Sequence, residues 1–245
     1  MTASPRPIEV RIEGLRKRFG RQEVLRGVET TIAPGRITAI VGPNASGKST
    51  LIKAVIGLVK IGATDGRILL DGVAVNGDVH YRERIGYMPQ AARFPDHLTA
   101  REVLTLVRSL RSPGTPIDRE LLDRLGLEAV LDRPIRTLSG GTRQKLNAAV
   151  AFLFRPSLAI LDEPTAGLDP ISSGIFKEKL ARAPREGTTV VLTSHILSEI
   201  EELADDIVFL IDGRVIFQGS VASLLERTGA SRLERAVATV MEEGR

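Results

Sequence analysis

The sequence predicts an α/β protein: a mixed, largely parallel sheet, an antiparallel β subdomain and an inserted α-helical subdomain. Three observations carry this. Apolar runs at 36–41, 158–161 and 188–193 alternate with helical patterns, as parallel strands joined by crossover helices do. Residues 8–13 (Ile-Glu-Val-Arg-Ile-Glu) alternate apolar and charged, the signature of a half-buried antiparallel strand. Asp212-Gly213 separates strand-like runs at 206–210 and 214–218, which reads as a hairpin.

The elements follow in order. A second strand is expected over 24–32, then the buried strand 36–41. A short strand lies between glycine turns at 66–72, and the strand-like run 84–90 ends in Pro89-Gln90. The pattern then turns helical. Thr99 and Glu102 have capping-box spacing, and Val103, Leu104, Val107 and Leu110 follow at helical spacing. Ser112-Pro113-Gly114 breaks that helix. A second helix at 119–125 places Leu121, Leu122 and Leu125 on one face, so 93–137 is read as a helical insertion. Ser139 opens a long helix with Leu146, Val150, Leu153 and Phe154 on one face, ended by Pro156. Residues 171–183 are helical, and Ser194-His195 is expected to start the next helix. Two short helices form a tail over 220–245. All of 1–245 is read as one domain with these two appendages.

Composition narrows the function. The 34 basic and 30 acidic residues nearly balance, for a net charge of +4, and the densest basic run, Arg16-Lys17-Arg18, reads as a solvated edge. The absence of cysteine excludes disulfides, thiolate metal sites and thiol catalysis. No apolar run approaches the ~20 residues that cross a bilayer, so the chain is expected to be soluble or peripheral to a membrane. Tryptophan is absent and aromatics are 4%, which argues against a base-stacking platform for nucleic acid.

The chemistry begins at Gly42-Pro43-Asn44-Ala45-Ser46-Gly47-Lys48-Ser49-Thr50. An apolar strand precedes this run, and Leu51, Ile52, Val55 and Ile56 follow at helical spacing. Strand, glycine loop and helix are what a phosphate cradle requires. Backbone N–H groups point at the polyphosphate, Lys48 adds positive charge, and Ser49 offers a hydroxyl to Mg²⁺. A second element is the run 158–161 followed by Asp162-Glu163. Carboxylates at the end of a buried strand are costly unless cations or water meet them. Beside a Mg-nucleotide, Asp162 would hold the metal and Glu163 would polarise the attacking water. A third element is Ser139-Gly140-Gly141, a helix start whose free N–H groups and dipole suit an anion. Alone, the second and third also read as an acidic turn and a plain capped helix.

In their order these elements resemble the ATP-binding subunits of ABC transporters. The resemblance runs from Phe19 to about Gly219 and adds a Q-loop glutamine (Gln90), a D-loop (Ala166-Gly167-Leu168-Asp169) and a switch histidine (His195). It implies that Phe19 stacks on adenine and that Gln90 touches Mg²⁺ or the attacking water and acts as a hinge. It implies that His195 hydrogen-bonds the γ-phosphate and that Asp169 acts across a subunit interface. The implied cofactors are ATP and Mg²⁺. The implied partners are a second ATPase subunit, with a homodimer expected, and an integral membrane permease, with the chain on the cytoplasmic face of the membrane. No nucleic-acid partner is expected.

Three positions depart from the family pattern: Ala45 for a glycine, Thr142 for the glutamine ending the signature, and Ala166 for a serine. Alanine at 45 is harmless unless the loop needs a positive φ there. The run 194–206 resembles ATPases of ABC-2-type exporters, and among them those of nitrous-oxide-reductase maturation systems. Two other readings stand beside this one. A soluble ABC-type ATPase that remodels nucleic acid or ribosomes usually has two ATPase domains or a long coiled coil, and neither is seen here. A P-loop kinase or GTPase would leave Ser139-Gly140-Gly141 and His195 without a role.

Overall fold

The computed structural model describes residues 5–75, 79–91 and 93–243. Two sheets and a set of helices make three layers. The first sheet is antiparallel, built from β1 (Val10–Phe19), β2 (Gln22–Ile32), β4 (Arg67–Leu70) and β5 (Val73–Ala74) in the order β2-β1-β4-β5. The central sheet has the order β10-β9-β3-β8-β7-β6. It contains β3 (Ile37–Val41), β6 (Ile85–Met88), β7 (Leu158–Asp162), β8 (Thr189–Thr193), β9 (Asp206–Ile211) and β10 (Arg214–Ser220). Five of these run parallel, and β10 folds back antiparallel on β9 around Asp212 and Gly213, both at positive φ.

Burial explains the sequence pattern. Every residue of β3, β7 and β8 is buried, because both faces of the central sheet are covered. One face packs against the antiparallel sheet and α1 (Lys48–Val55), joining Ile8, Leu15, Ile40, Leu51, Ile160 and Leu210 in one core. The other face packs against α4 (Gly140–Phe152), α5 (Pro170–Arg182) and α6 (Leu197–Leu203), joining Val41, Phe152, Leu161, Phe176 and Leu192. The buried hydroxyls in β8 are satisfied: Thr189 Oγ1 donates to the Ile8 carbonyl (2.8 Å).

Residues 93–137 carry α2 (Ala100–Ser109), α3 (Glu120–Arg124) and two 3₁₀ turns. Thr99 caps α2 with the capping box read from the sequence: its hydroxyl accepts from Glu102 N, and Glu102 Oε2 accepts from Thr99 N (2.7 Å). The first strand runs on to Phe19, well past the expected 8–13, and two helix bounds near the site also differ from expectation. The α4 helix stops at Phe152, before Leu153, Phe154 and Pro156, and the chain turns through Arg155 at φ 48°. The α6 helix starts at Leu197, so His195 stays in the preceding loop. Ser194 Oγ takes the N–H of Ile196 (3.0 Å), and the His195 N–H goes to Glu163 (3.3 Å). The Ile196 backbone is extended (φ −96°, ψ 96°), so helical geometry begins only at Leu197. The tail comprises α7 (Val221–Thr228) and α8 (Leu233–Glu243); positions 244–245 of the expected tail lie outside the described residues.

A buried lysine ties α5 to the 93–137 segment. The Lys179 side chain is only 4% exposed, with Nζ 3.1 Å from Asp118, 3.0 Å from Glu120 and 2.9 Å from Glu186. Arg182 also pairs with Glu120, and Arg124 with Glu178. Burial opposes the ammonium, but its three carboxylates outweigh that and raise its pKa above the ordinary lysine value. A raised pKa means this stabilisation is complete at neutral pH and fades only as pH climbs through the raised value. Lys179→Met should lower stability by about 2 kcal/mol in urea unfolding, less than for a fully enclosed pair because Glu186 is 41% exposed. An unchanged unfolding midpoint would refute that role.

Candidate functional site

The loop between β3 and α1 wraps around Lys48. A Cβ on Gly42 would lie 2.1 Å from the Leu210 carbonyl oxygen, so glycine alone fits against β9 there. Gly47, at φ 106°, turns the chain into α1, and a Cβ on it would sit 2.9 Å from Leu25 Cδ2. Lys48 Nζ donates to the carbonyls of Gly42 (2.6 Å) and Pro43 (2.9 Å). Burial lowers the Lys48 pKa, and Glu163 and Asp162 partly offset this. The Ser46 hydroxyl is buried and has no hydrogen-bond partner.

Ala45 adopts φ 63°. The left-handed conformation that the sequence raised as a condition is therefore required, and alanine bears its cost. Ala45→Gly should raise stability by about 0.5–1 kcal/mol, the left-handed penalty of roughly 1–2 kcal/mol less the greater chain entropy of glycine. Equilibrium urea unfolding measures this; a less stable variant would contradict it.

A cleft of about 380 Å³ opens over this loop. Asn44, Ala45, Ser46, Gly47, Lys48, Ser49 and Thr50 line one side, and Gln90, Asp162, Glu163 and His195 the other. The parallel register sets the far side, since Asp162 at the end of β7 pairs with Thr193 at the end of β8. Thr193 Oγ1 donates to Asp162 Oδ1 (2.6 Å), and Asp162 is buried. Glu163, at φ 52°, lies just beyond the strand, and its N–H reaches the Thr193 carbonyl (3.2 Å). That backbone conformation aims the carboxylate at His195: Oε1 is 3.2 Å from Nε2, and Oε2 accepts the His195 N–H. A non-glycine residue held in the left-handed region beside the chemistry is strained in the way functional sites often are.

Several predicted residues lie elsewhere. Gly42 and Pro43 serve the cleft through their carbonyls on Lys48. Phe19 does not line the cleft; it is 50% exposed at the end of β1, with Lys17 Nζ 5.4 Å from its ring centre. Ser139, Gly140 and Gly141 start α4, away from the cleft lining. Ser139 Oγ caps that helix by accepting the Thr142 N–H (3.1 Å), and it is 2.8 Å from Thr142 Oγ1. Lys145 of α4 pairs with Asp169 (2.7 Å), which caps α5 through Ser172. Lys145 and Ser172 hold the Asp169 carboxyl well below the usual carboxylate range.

The structure adds Gln22 and Val24 to the cleft and Thr193 behind it. The first two are ordinary strand residues with no motif to mark them. Thr193 is legible only as a polar end to an apolar strand; its place beside Asp162 is set by the pairing of β7 with β8.

Residues 25–166 match the ABC transporter family. The chain belongs to that family. It is an ATP-binding subunit of the ABC type and hydrolyses ATP. A lantibiotic transport ATP-binding protein of Streptococcus pyogenes is 34% identical over 209 residues, 85% of this chain and 90% of that protein. A solved ATP-binding subunit of an ABC transporter superposes with a TM-score of 0.87 at 30% identity, covering 95% of this chain and 99% of that one. An ATP-binding cassette solved as a dimer in a post-hydrolysis state, bound to ADP and Pi, superposes with a TM-score of 0.77 at 26% identity, covering 86% and 98%. The chain thus works as the ATP-driven component of an ABC transporter. Among the described residues no helix is long and apolar enough to cross a membrane.

Proposed function

We propose that two copies of this chain meet head to tail, each closing its Ser139-Gly140-Gly141 surface over the nucleotide cleft of the other. The observation that carries this is the separation of the two anion sites. Lys48, Glu163 and His195 share one cleft, whereas the Ser139 cap presents its helix N-terminus elsewhere on the surface.

Within one cleft the roles divide by chemistry. Lys48, its carbonyl partners exchanged for phosphate oxygens, neutralises the β- and γ-phosphates. Glu163 accepts a proton from the attacking water, and His195, held by the same carboxylate, reaches the γ-phosphate. The oxygen donors Ser49, Asp162 and Gln90 suit Mg²⁺, which prefers hard oxygen ligands and brings its other ligands from phosphate and water. Among the described residues no cluster of three histidine, cysteine or acidic groups forms a metal cage without the nucleotide. When bound, Mg²⁺ supplies charge neutralisation at the phosphates. Phe19 and the adjoining Gln22 and Val24 receive the base.

ATP favours the closed pair, and hydrolysis removes that preference. Gln90, between the cleft and the 93–137 helical subdomain, passes the change to a permease that supplies the membrane spans. The chain therefore sits on the cytoplasmic face of the membrane. The lantibiotic transport relative supports a transporter as the partner; the direction and the cargo are unassigned.

The dimer reading is tested by the dependence of turnover on protein concentration. ATP hydrolysed per chain should rise with concentration and then level off as pairs fill. A specific activity independent of concentration, in a chain shown by sedimentation to be monomeric throughout, would contradict it.

A further inference from the structure

We propose that Thr142 is a positioning residue: its hydroxyl donates to Ser139 Oγ and thereby aims the Ser139 proton at the polyphosphate held by a second copy. This rests on the reading of Ser139 as a contact across the dimer.

The argument is a count of hydrogen-bonding sites. A serine hydroxyl has one proton to give and two lone pairs to receive with. The Thr142 backbone N–H, at 3.1 Å, fills one lone pair. Thr142 Oγ1, at 2.8 Å, takes one of the two remaining directions. When Thr142 donates, both Ser139 lone pairs are used and its proton is the one group left to offer. When the bond runs the other way, Ser139 spends its proton on Thr142 and turns a lone pair outward, which repels phosphate oxygen.

The same geometry recurs at α5, where the direction is forced. Ser172 stands to Asp169 as Thr142 stands to Ser139. Its N–H and its hydroxyl both reach the Asp169 carboxylate at 2.9 Å, and a carboxylate can only accept. A polyanion facing Ser139 imposes the same direction on the α4 cap. No acidic side chain occupies the first turn of α4, so nothing there offsets its positive end.

Thr142 stands where the family pattern has a glutamine, a side chain with no hydroxyl. A plain capping role is separable from positioning. The cap bond uses the Thr142 backbone N–H, which Thr142→Val keeps, while the hydroxyl is lost at nearly constant shape.

The test uses the full chain carrying Glu163→Gln, with Mg-ATP saturating, and reads the dimer dissociation constant by sedimentation. Adding Thr142→Val should raise it about tenfold, since each dimer holds two such contacts worth about threefold each. Thr142→Ser should restore the parent value, and the thermal midpoint of the nucleotide-free chain should be the same in all three. Ser139→Ala in the same background should weaken the dimer at least as much. If Ser139→Ala weakens the dimer and Thr142→Val does not, Thr142 has no positioning role and the cross-dimer reading survives. If neither weakens it, the cross-dimer reading falls and takes the proposal with it. A loss in Thr142→Val that accompanies a lower thermal midpoint and is not rescued by serine assigns Thr142 a structural role and also overturns the proposal.

Discussion

Replacing Glu163 by glutamine should slow ATP hydrolysis by about 10²–10⁴-fold, the range expected for a positioned general base, while leaving ATP affinity unchanged. Glutamine keeps the size of the side chain and one carbonyl acceptor for the His195 N–H, so the local geometry persists. It cannot take a proton from water. The carboxylate contacts His195, on the wall of the cleft facing the phosphate loop, and it makes no hydrogen bond to that loop. Binding and chemistry should therefore separate cleanly: single-turnover kinetics collapse while a calorimetric titration with ATP does not move. A variant turning over at the parent rate would remove Glu163 from the role of base.

Replacing Lys48 by alanine should do the opposite and weaken ATP binding by roughly 10–100-fold, the worth of hydrogen bonds from a charged donor. The ammonium is tethered by two loop carbonyls, at 2.6 Å and 2.9 Å, so it is already placed where phosphate oxygens would replace them. Little ordering cost remains when the nucleotide arrives. Alanine removes that charge and leaves the carbonyls of Gly42 and Pro43 facing an anion. Calorimetric titration with ATP measures the loss, and an unchanged dissociation constant would contradict the cradle assignment.

Much of this fold was legible because two strong periodicities coincide with chemical motifs. The buried strands ending at Val41 and Asp162 read as apolar runs, and each is followed at once by the residues that line the cleft. The capping box at Thr99 and the turn at Asp212-Gly213 are local chemistry, set by residues close in sequence. What stayed hidden depends on pairing across long separations. Thr193 supports Asp162 only because β7 and β8 run parallel in one register. Lys179 looks like an exposed helix lysine until the 93–137 segment folds its carboxylates over it. The start of α6 lies beyond His195 because Ile196 keeps an extended backbone, which no residue of the Ser194-His195-Ile196 run marks. The φ of Ala45 is invisible in a motif that tolerates alanine by composition.

The head-to-tail site can be tested by joining its two halves. The chain has no cysteine of its own, so labelled positions react alone. Asn44 on the phosphate loop is exposed, and a Cβ on Gly140 meets nothing within 4 Å, so both accept Asn44→Cys and Gly140→Cys. Each substitution is placed in a separate Glu163→Gln chain, and the two chains are mixed with a short thiol crosslinker. With saturating Mg-ATP the mixture should give a covalent product of twice the 26.5 kDa chain, absent without ATP and far weaker in either chain alone. A mixture that stays uncrosslinked at saturating ATP would contradict a nucleotide site shared between two copies.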